Sequence, residues 1–95
     1  MKTYKVIIQN EAVRDTIEAR SWYNKQLKGL GIRFSKDIKI TLLRIASAPY
    51  AYAIRYDQTR KADLSVFPYG VFFFIDEPTG TVYITAIKHH SRNTF

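Results

Sequence analysis

Four side chains towards the C-terminal end of this 95-residue chain could handle a phosphate or a proton: Arg60, His89, His90 and Arg92. Arginine carries a planar fork of donors that matches phosphate oxygens, and histidine transfers protons near neutral pH. Attack of a ribose 2′-hydroxyl on its own phosphate needs a base, an acid and cations for the developing charge. Arg60 and Arg92 as the clamp, with His89 or His90 moving the proton, would meet that need. Lys61 adds a cation for substrate, and Tyr69 could stack on a base or donate a hydrogen bond. Although 29 residues separate Arg60 from His89, two strands of a small antiparallel sheet could bring them together. Each residue also has a plainer use. The arginines could pair with Asp57 or Asp63, His89 could be a bonded strand end, and Tyr69 could cover a sheet edge. His89 and His90 are neighbours at a strand end, so they point to opposite faces and form no joint ligand pair. With no cysteine to supplement them, no metal or other cofactor is expected.

The elements that must hold these residues follow from periodicity. Residues 4–9 alternate as a strand. Asn10 is the expected N-cap of a helix from Glu11 to about Leu27, its apolar arc made of Ala12, Val13, Thr16, Ile17, Ala19, Tyr23 and Leu27. Gly29-Leu30-Gly31 stops it. A second helix runs from about Ile32 to Ser47 on a stripe of Phe34, Ile38, Leu42 and Ile45, and Pro49 ends it. From there the period changes to two. Arg55-Tyr56 reads as a short strand or a loop. Ala62, Leu64 and Val66 alternate with Asp63, Ser65 and Phe67, and Pro68-Tyr69-Gly70 turns the chain. Val71 to Asp76 is apolar enough for a strand buried on both faces. A hairpin turn at 77–80 leads to a last strand from Thr81 to Lys88. The expected fold is one α+β domain over residues 1–95, β-α-α-β-β-β, with a helical hairpin packed on a small, mainly antiparallel sheet. Most of the strand aromatics, Phe67, Phe72, Phe73, Phe74 and Tyr83, are expected in its core.

Two groups fall outside that core. Trp22 projects about 140° from the first helix's apolar arc, among Glu11, Asp15 and Glu18. Ile32, Ile40 and Leu43 lie off the second helix's stripe. Exposed apolar clusters mark interaction sites, so Trp22, Ile40 and Leu43 are candidates for binding a partner; a covering loop is the alternative. The net charge of +7 is lopsided: residues 1–48 hold ten Lys/Arg against four Asp/Glu, and residues 49–95 hold five against four. A basic N-terminal half suits a polyanion or an acidic protein. The apolar run after the first lysine is too short for a signal peptide or a membrane span, so neither is expected. The absence of cysteine fits a reducing cytoplasm.

In order and spacing the chain resembles the RelE/ParE superfamily of type II toxin–antitoxin toxins, often labelled plasmid stabilisation proteins. The resemblance rests on Ala12, Asp15, Ala19, Trp22 and Tyr23, on Leu30-Gly31, Phe34, Ile38, Ile45 and Pro49, and most specifically on two segments. These are Arg60-x-x-x-Leu64-x-x-Phe67-Pro68-Tyr69-x-Val71 and Ala86-Ile87-x-His89-x-x-Arg92. It implies a cytoplasmic bacterial or plasmid-borne toxin, neutralised by a cognate antitoxin that wraps an extended or helical segment around it. RelE-like members cleave mRNA in the ribosomal A site; by position, Arg60 matches their phosphate-facing residue, and His89 and Arg92 match an ending that many ParE-like and some nuclease members share. ParE-like members poison DNA gyrase and have no demonstrated nuclease chemistry. The expectation that follows is a ribosome-dependent mRNA endonuclease using Arg60, His89 and Arg92; the alternatives are a gyrase inhibitor or a non-toxic antitoxin-binding relic. Asp57, Gln58 and Thr59 stand where RelE-like nucleases carry lysines, Asp57 is the nearest candidate for an acidic base, and the chain ends on Phe95 rather than a tyrosine.

Overall fold

A computed structural model describes residues 3–92, the last by its backbone alone. Strand β1 (Lys5–Ile8) leads into helices α1 (Asn10–Gln26) and α2 (Leu30–Ser47), followed by β2 (Ile54–Tyr56), β3 (Thr59–Asp63), β4 (Tyr69–Asp76) and β5 (Thr81–His89). The sheet order is β1-β5-β4-β3-β2. Among the described residues only the β1–β5 pair is parallel, because the helical hairpin carries the chain back before the meander of β2 to β5 begins. The α+β class and the helical hairpin on a mainly antiparallel sheet are as expected. The segment left open as strand or loop is a strand, so the order is β-α-α-β-β-β-β.

Local chemistry sets the corners. No proline or glycine interrupts residues 10–26, and α1 starts one residue earlier than expected: Gln9 is its cap, without a side-chain cap bond, and Asn10 lies inside the helix. Gly29 takes φ +87 between the helices, a left-handed conformation that glycine adopts without a Cβ penalty. The Asn24 side chain then accepts the Gly31 N–H at 2.9 Å and locks the hairpin. Asp57 turns the β2–β3 hairpin with φ 47.

The core lies between the helices and one face of the sheet. From α1 it takes Ala12, Ala19 and Tyr23, from α2 Phe34, Ile38 and Ile45, and from the sheet Ala62, Val71, Phe73, Val82, Ile84 and Ile87. Phe34 rings meet Tyr23, Phe67 and Tyr69 at centroid distances of 5.4, 5.3 and 5.0 Å. Truncating such a buried ring costs about 3–5 kcal/mol, a large part of the roughly 5–15 kcal/mol a domain has. The expected α1 arc was too wide: Val13, Ile17 and Leu27 are exposed, since two packed surfaces cover only the narrower stripe through Ala12, Ala19 and Tyr23. The expected strand over 62–67 also ends early. Val66 is exposed and Phe67 buried, and the backbone of 65–67 bends to give three N–H groups to the Asp37 carboxylate, at 3.3, 2.9 and 3.0 Å. Tyr69 and Gly70 open β4 rather than forming a turn.

Candidate functional site

A bulge decides where the histidines point. On β4 and β5, Phe72 pairs with Ala86 but Phe73 pairs with Ile84, leaving Thr85 as an extra residue. Up to Ile84 the even positions of β5 face the helices; past the bulge the odd ones do, and Ile87 is in the core. His89 is thereby aimed at the helix side, opposite Tyr69 in the register, their rings edge-on at 5.1 Å. His90 points the other way, its Nε2 3.2 Å from Asp63 Oδ1, as the expectation of opposite faces required. Past the end of β1, the Ile87 N–H is taken by Asp15 of α1 at 3.0 Å. Lys88 pairs with Asp15 at 3.1 Å and Glu11 at 3.6 Å. Burial pulls the Lys88 pKa down, but Asp15 and Glu11 outweigh it and hold the ammonium above its ordinary 10.5.

Around His89 a half-open cavity of about 480 Å³ is lined by Glu18, Ala19, Trp22, Tyr23, Tyr69 and Ser91 as well. Burial, and then the hydrogen-bonded Tyr69, push the Tyr23 hydroxyl above its ordinary 10.0. His89 Nδ1 accepts the Ser91 N–H at 3.0 Å, with Ser91 Oγ at 2.7 Å. A backbone N–H can only donate, so in this geometry the neutral ring carries its proton on Nε2. That nitrogen can donate a hydrogen bond but cannot accept a proton.

Arg60 is elsewhere. It pairs with Phe73 in the register, four positions along β4 from Tyr69 and on its other side. Strand spacing puts its backbone roughly 16 Å from that of His89, with the buried Val71 and Phe73 between. Its guanidinium donates to the Tyr52 carbonyl at 2.6 Å and lies 5.1 Å from the Tyr50 ring centre. The register does not set Arg60 and His89 side by side, as expected of two neighbouring strands: both face the helix side, but at different levels and across β4. Lys61 lies on the opposite face, over Phe72 at 5.8 Å and 3.5 Å from Asp63, next to His90. Tyr69 is only 9 % exposed, its ring meeting Tyr23 and Phe34 edge-on and contributing to the inner wall of the His89 cavity. The side chain of Arg92 and the terminal Phe95 lie outside the described residues. Of the candidate partner-binding residues, Trp22 is 55 %, Ile40 47 % and Leu43 62 % exposed. Sequence reasoning missed Glu18 and Tyr23 as neighbours of His89; Glu18 lies on the same flank of α1 as Trp22, which was the available signal.

The family model for the ParE toxin of the type II toxin–antitoxin system parDE matches residues 6–94. The chain belongs to the ParE toxin family. Solved structures agree on the fold of this ParE-family chain. It is similar to a chain of the chromosomal ParDE system of Pseudomonas aeruginosa, at 13% identity and TM-score 0.79, over 92% of this chain and 96% of that one. It is similar to a chain of the RelBE2 toxin–antitoxin complex of Mycobacterium tuberculosis, at 18% identity and TM-score 0.67, over 92% and 98%. A chain of the intact E. coli RelBE complex matches at 15% identity and TM-score 0.64, over 90% and 95%. No curated protein sequence matches the chain. Among the described residues no helix is long and apolar enough to cross a membrane.

Proposed function

We propose that this ParE-family toxin acts by binding its target, DNA gyrase, and not by cutting mRNA on the ribosome. The observation that carries the reading is the separation of Arg60 from His89. A phosphate clamp and a proton donor must meet within hydrogen-bond reach of the same substrate; here their backbones lie roughly 16 Å apart by strand spacing, and the Arg60 guanidinium is engaged by the Tyr52 carbonyl and the Tyr50 ring. One further feature supports it. The described lining of the His89 cavity brings a carboxylate, Glu18, rather than a cation. Electrostatic help for a developing phosphate charge needs the opposite sign.

The experiment compares two activities of the purified, antitoxin-free chain. The expected result is blocked DNA supercoiling by gyrase, with unchanged mRNA 5′ ends in a translating extract, in the parent and in His89→Ala alike. New 5′ ends at A-site codons, lost in His89→Ala or Arg60→Ala, would overturn this and restore the endonuclease with Arg60, His89 and Arg92. A folded chain inactive in both assays would leave the relic.

The partner that fits the helical hairpin is an acidic, amphipathic antitoxin segment. Ile32, Ile40 and Leu43 are exposed on α2, with Lys36 and Lys39 exposed between them, so apolar anchors and cations share one face. Trp22, on the α1 flank beside the His89 cavity, is a second exposed apolar anchor. Trp22→Ala and Leu43→Ala are each expected to weaken antitoxin binding about tenfold or more, the size of an interface anchor. Unchanged affinity in a titration of both variants would remove this face.

A further inference from the structure

We propose that the cavity between α1 and the end of β5 is an arginine-binding box, in which a partner protein's guanidinium lies against the Trp22 indole and pairs with the Glu18 carboxylate. Three aromatic rings wall it: Trp22 and Tyr23 meet edge-on at 5.0 Å, and Tyr69 closes the inner side, 6.1 Å from Tyr23. Ring faces attract cations, the indole most of all. The carboxylates of this α1 flank are unequally committed. Glu11 and Asp15 are bound to Lys88, whereas Glu18, at the cavity, is exposed and makes no ion pair or hydrogen bond among the described residues. No described lysine or arginine lines the space. In a chain of net charge +7, the described lining joins a carboxylate and three aromatic rings to the His89 imidazole, a set complementary to a cation. A guanidinium suits it better than an ammonium, because its planar fork meets a carboxylate with two parallel bonds while its face stacks on the indole. The surface around it is partly apolar through Trp22, so a single arginine from a docked segment would fix that segment's register at one point.

This goes beyond the reading of the target, and its test needs neither gyrase nor ribosome. Trp22 is the single tryptophan of the chain, so its fluorescence reports the box directly. The protein is titrated with N-acetyl-arginine amide, and with N-acetyl-lysine amide and guanosine monophosphate as comparators. The expected result is a saturable change in Trp22 emission with the arginine probe, half-complete at a concentration of about 1–10 mM. In Glu18→Gln, an exposed position whose far-ultraviolet circular dichroism should match the parent, the midpoint should rise about fivefold. No saturable change up to about 100 mM, or the same midpoint in Glu18→Gln, would overturn the proposal. Saturation by guanosine monophosphate alone would overturn it in favour of a base pocket. Saturation by the arginine probe only after Arg92→Ala would assign the box to the chain's own arginine, and would overturn it too.

Discussion

Asp37 shows how much one side chain can organise here. The residue is 5 % exposed, and its carboxylate accepts the N–H groups of Ser65, Val66 and Phe67. It joins α2 to the bend between β3 and β4, where the backbone has left the sheet and would otherwise be unpaired. Asp37→Ala would strand those donors, at a cost of about 3 kcal/mol or more, since each buried unmet donor costs about 1–3 kcal/mol. Asp37→Asn keeps an acceptor and should lose less. Urea unfolding of the two variants checks this, and equal midpoints would show that the bend does not depend on the carboxylate. At His89 the same scale explains the site: one backbone N–H from Ser91 fixes which ring nitrogen carries the proton.

At the scale of the element, the helical hairpin and the β5 bulge position everything that could act. The hairpin depends on Gly29 at φ +87. A Cβ there has open space but a strained backbone, so Gly29→Ala is expected to destabilise by about 1 kcal/mol and Gly29→Asn by less, read as shifts of Tm. An alanine variant as stable as the parent would mean that the turn relaxes to another conformation. The bulge at Thr85 re-phases β5, so His89 faces α1 while His90 joins Asp63 and Lys61 on the far face. The types, order and approximate bounds of α1, α2, β4 and β5 were legible in the sequence because their periods of 3.6 and 2 are strong, whereas the short β2 stayed open and β3 was placed too late. The bulge was not, because an extra residue in one strand is defined by the partner strand's register. The bend at 65–67 escaped for a similar reason: its backbone partner, Asp37, is 28 residues away at its nearest.

Across the whole molecule, the field and its dependence on pH come from how charges are spent. Lys88 and Tyr23 both have raised pKa values in the fold, against ordinary values of 10.5 and 10.0. A group whose folded pKa is raised contributes stability that is complete below its unfolded pKa and is lost as pH rises through the folded one. Stability from these two groups should therefore hold up to about pH 10 and fall above it. Urea midpoints measured on either side of that value test this, with Lys88→Met expected to show a shallower alkaline decline. A midpoint that stays level through the alkaline range would count against both groups.

By itself the sequence determined the family, the α+β class, the basic N-terminal half and the position of Trp22, Ile40 and Leu43 off the helices' apolar stripes. Each of these is written in local pattern: residue order, hydrophobic period, and the angle at which a side chain leaves a helix. The tertiary structure alone decided which chemical groups meet. Arg60, His89 and Lys61 looked like one constellation along the chain, and strand register with one bulge distributes them over two faces and two levels of the sheet. Register is a property of paired strands, fixed by contacts between residues far apart in sequence. No spacing along a single strand could have shown that His89 would find Glu18 and Trp22 beside it instead of Arg60.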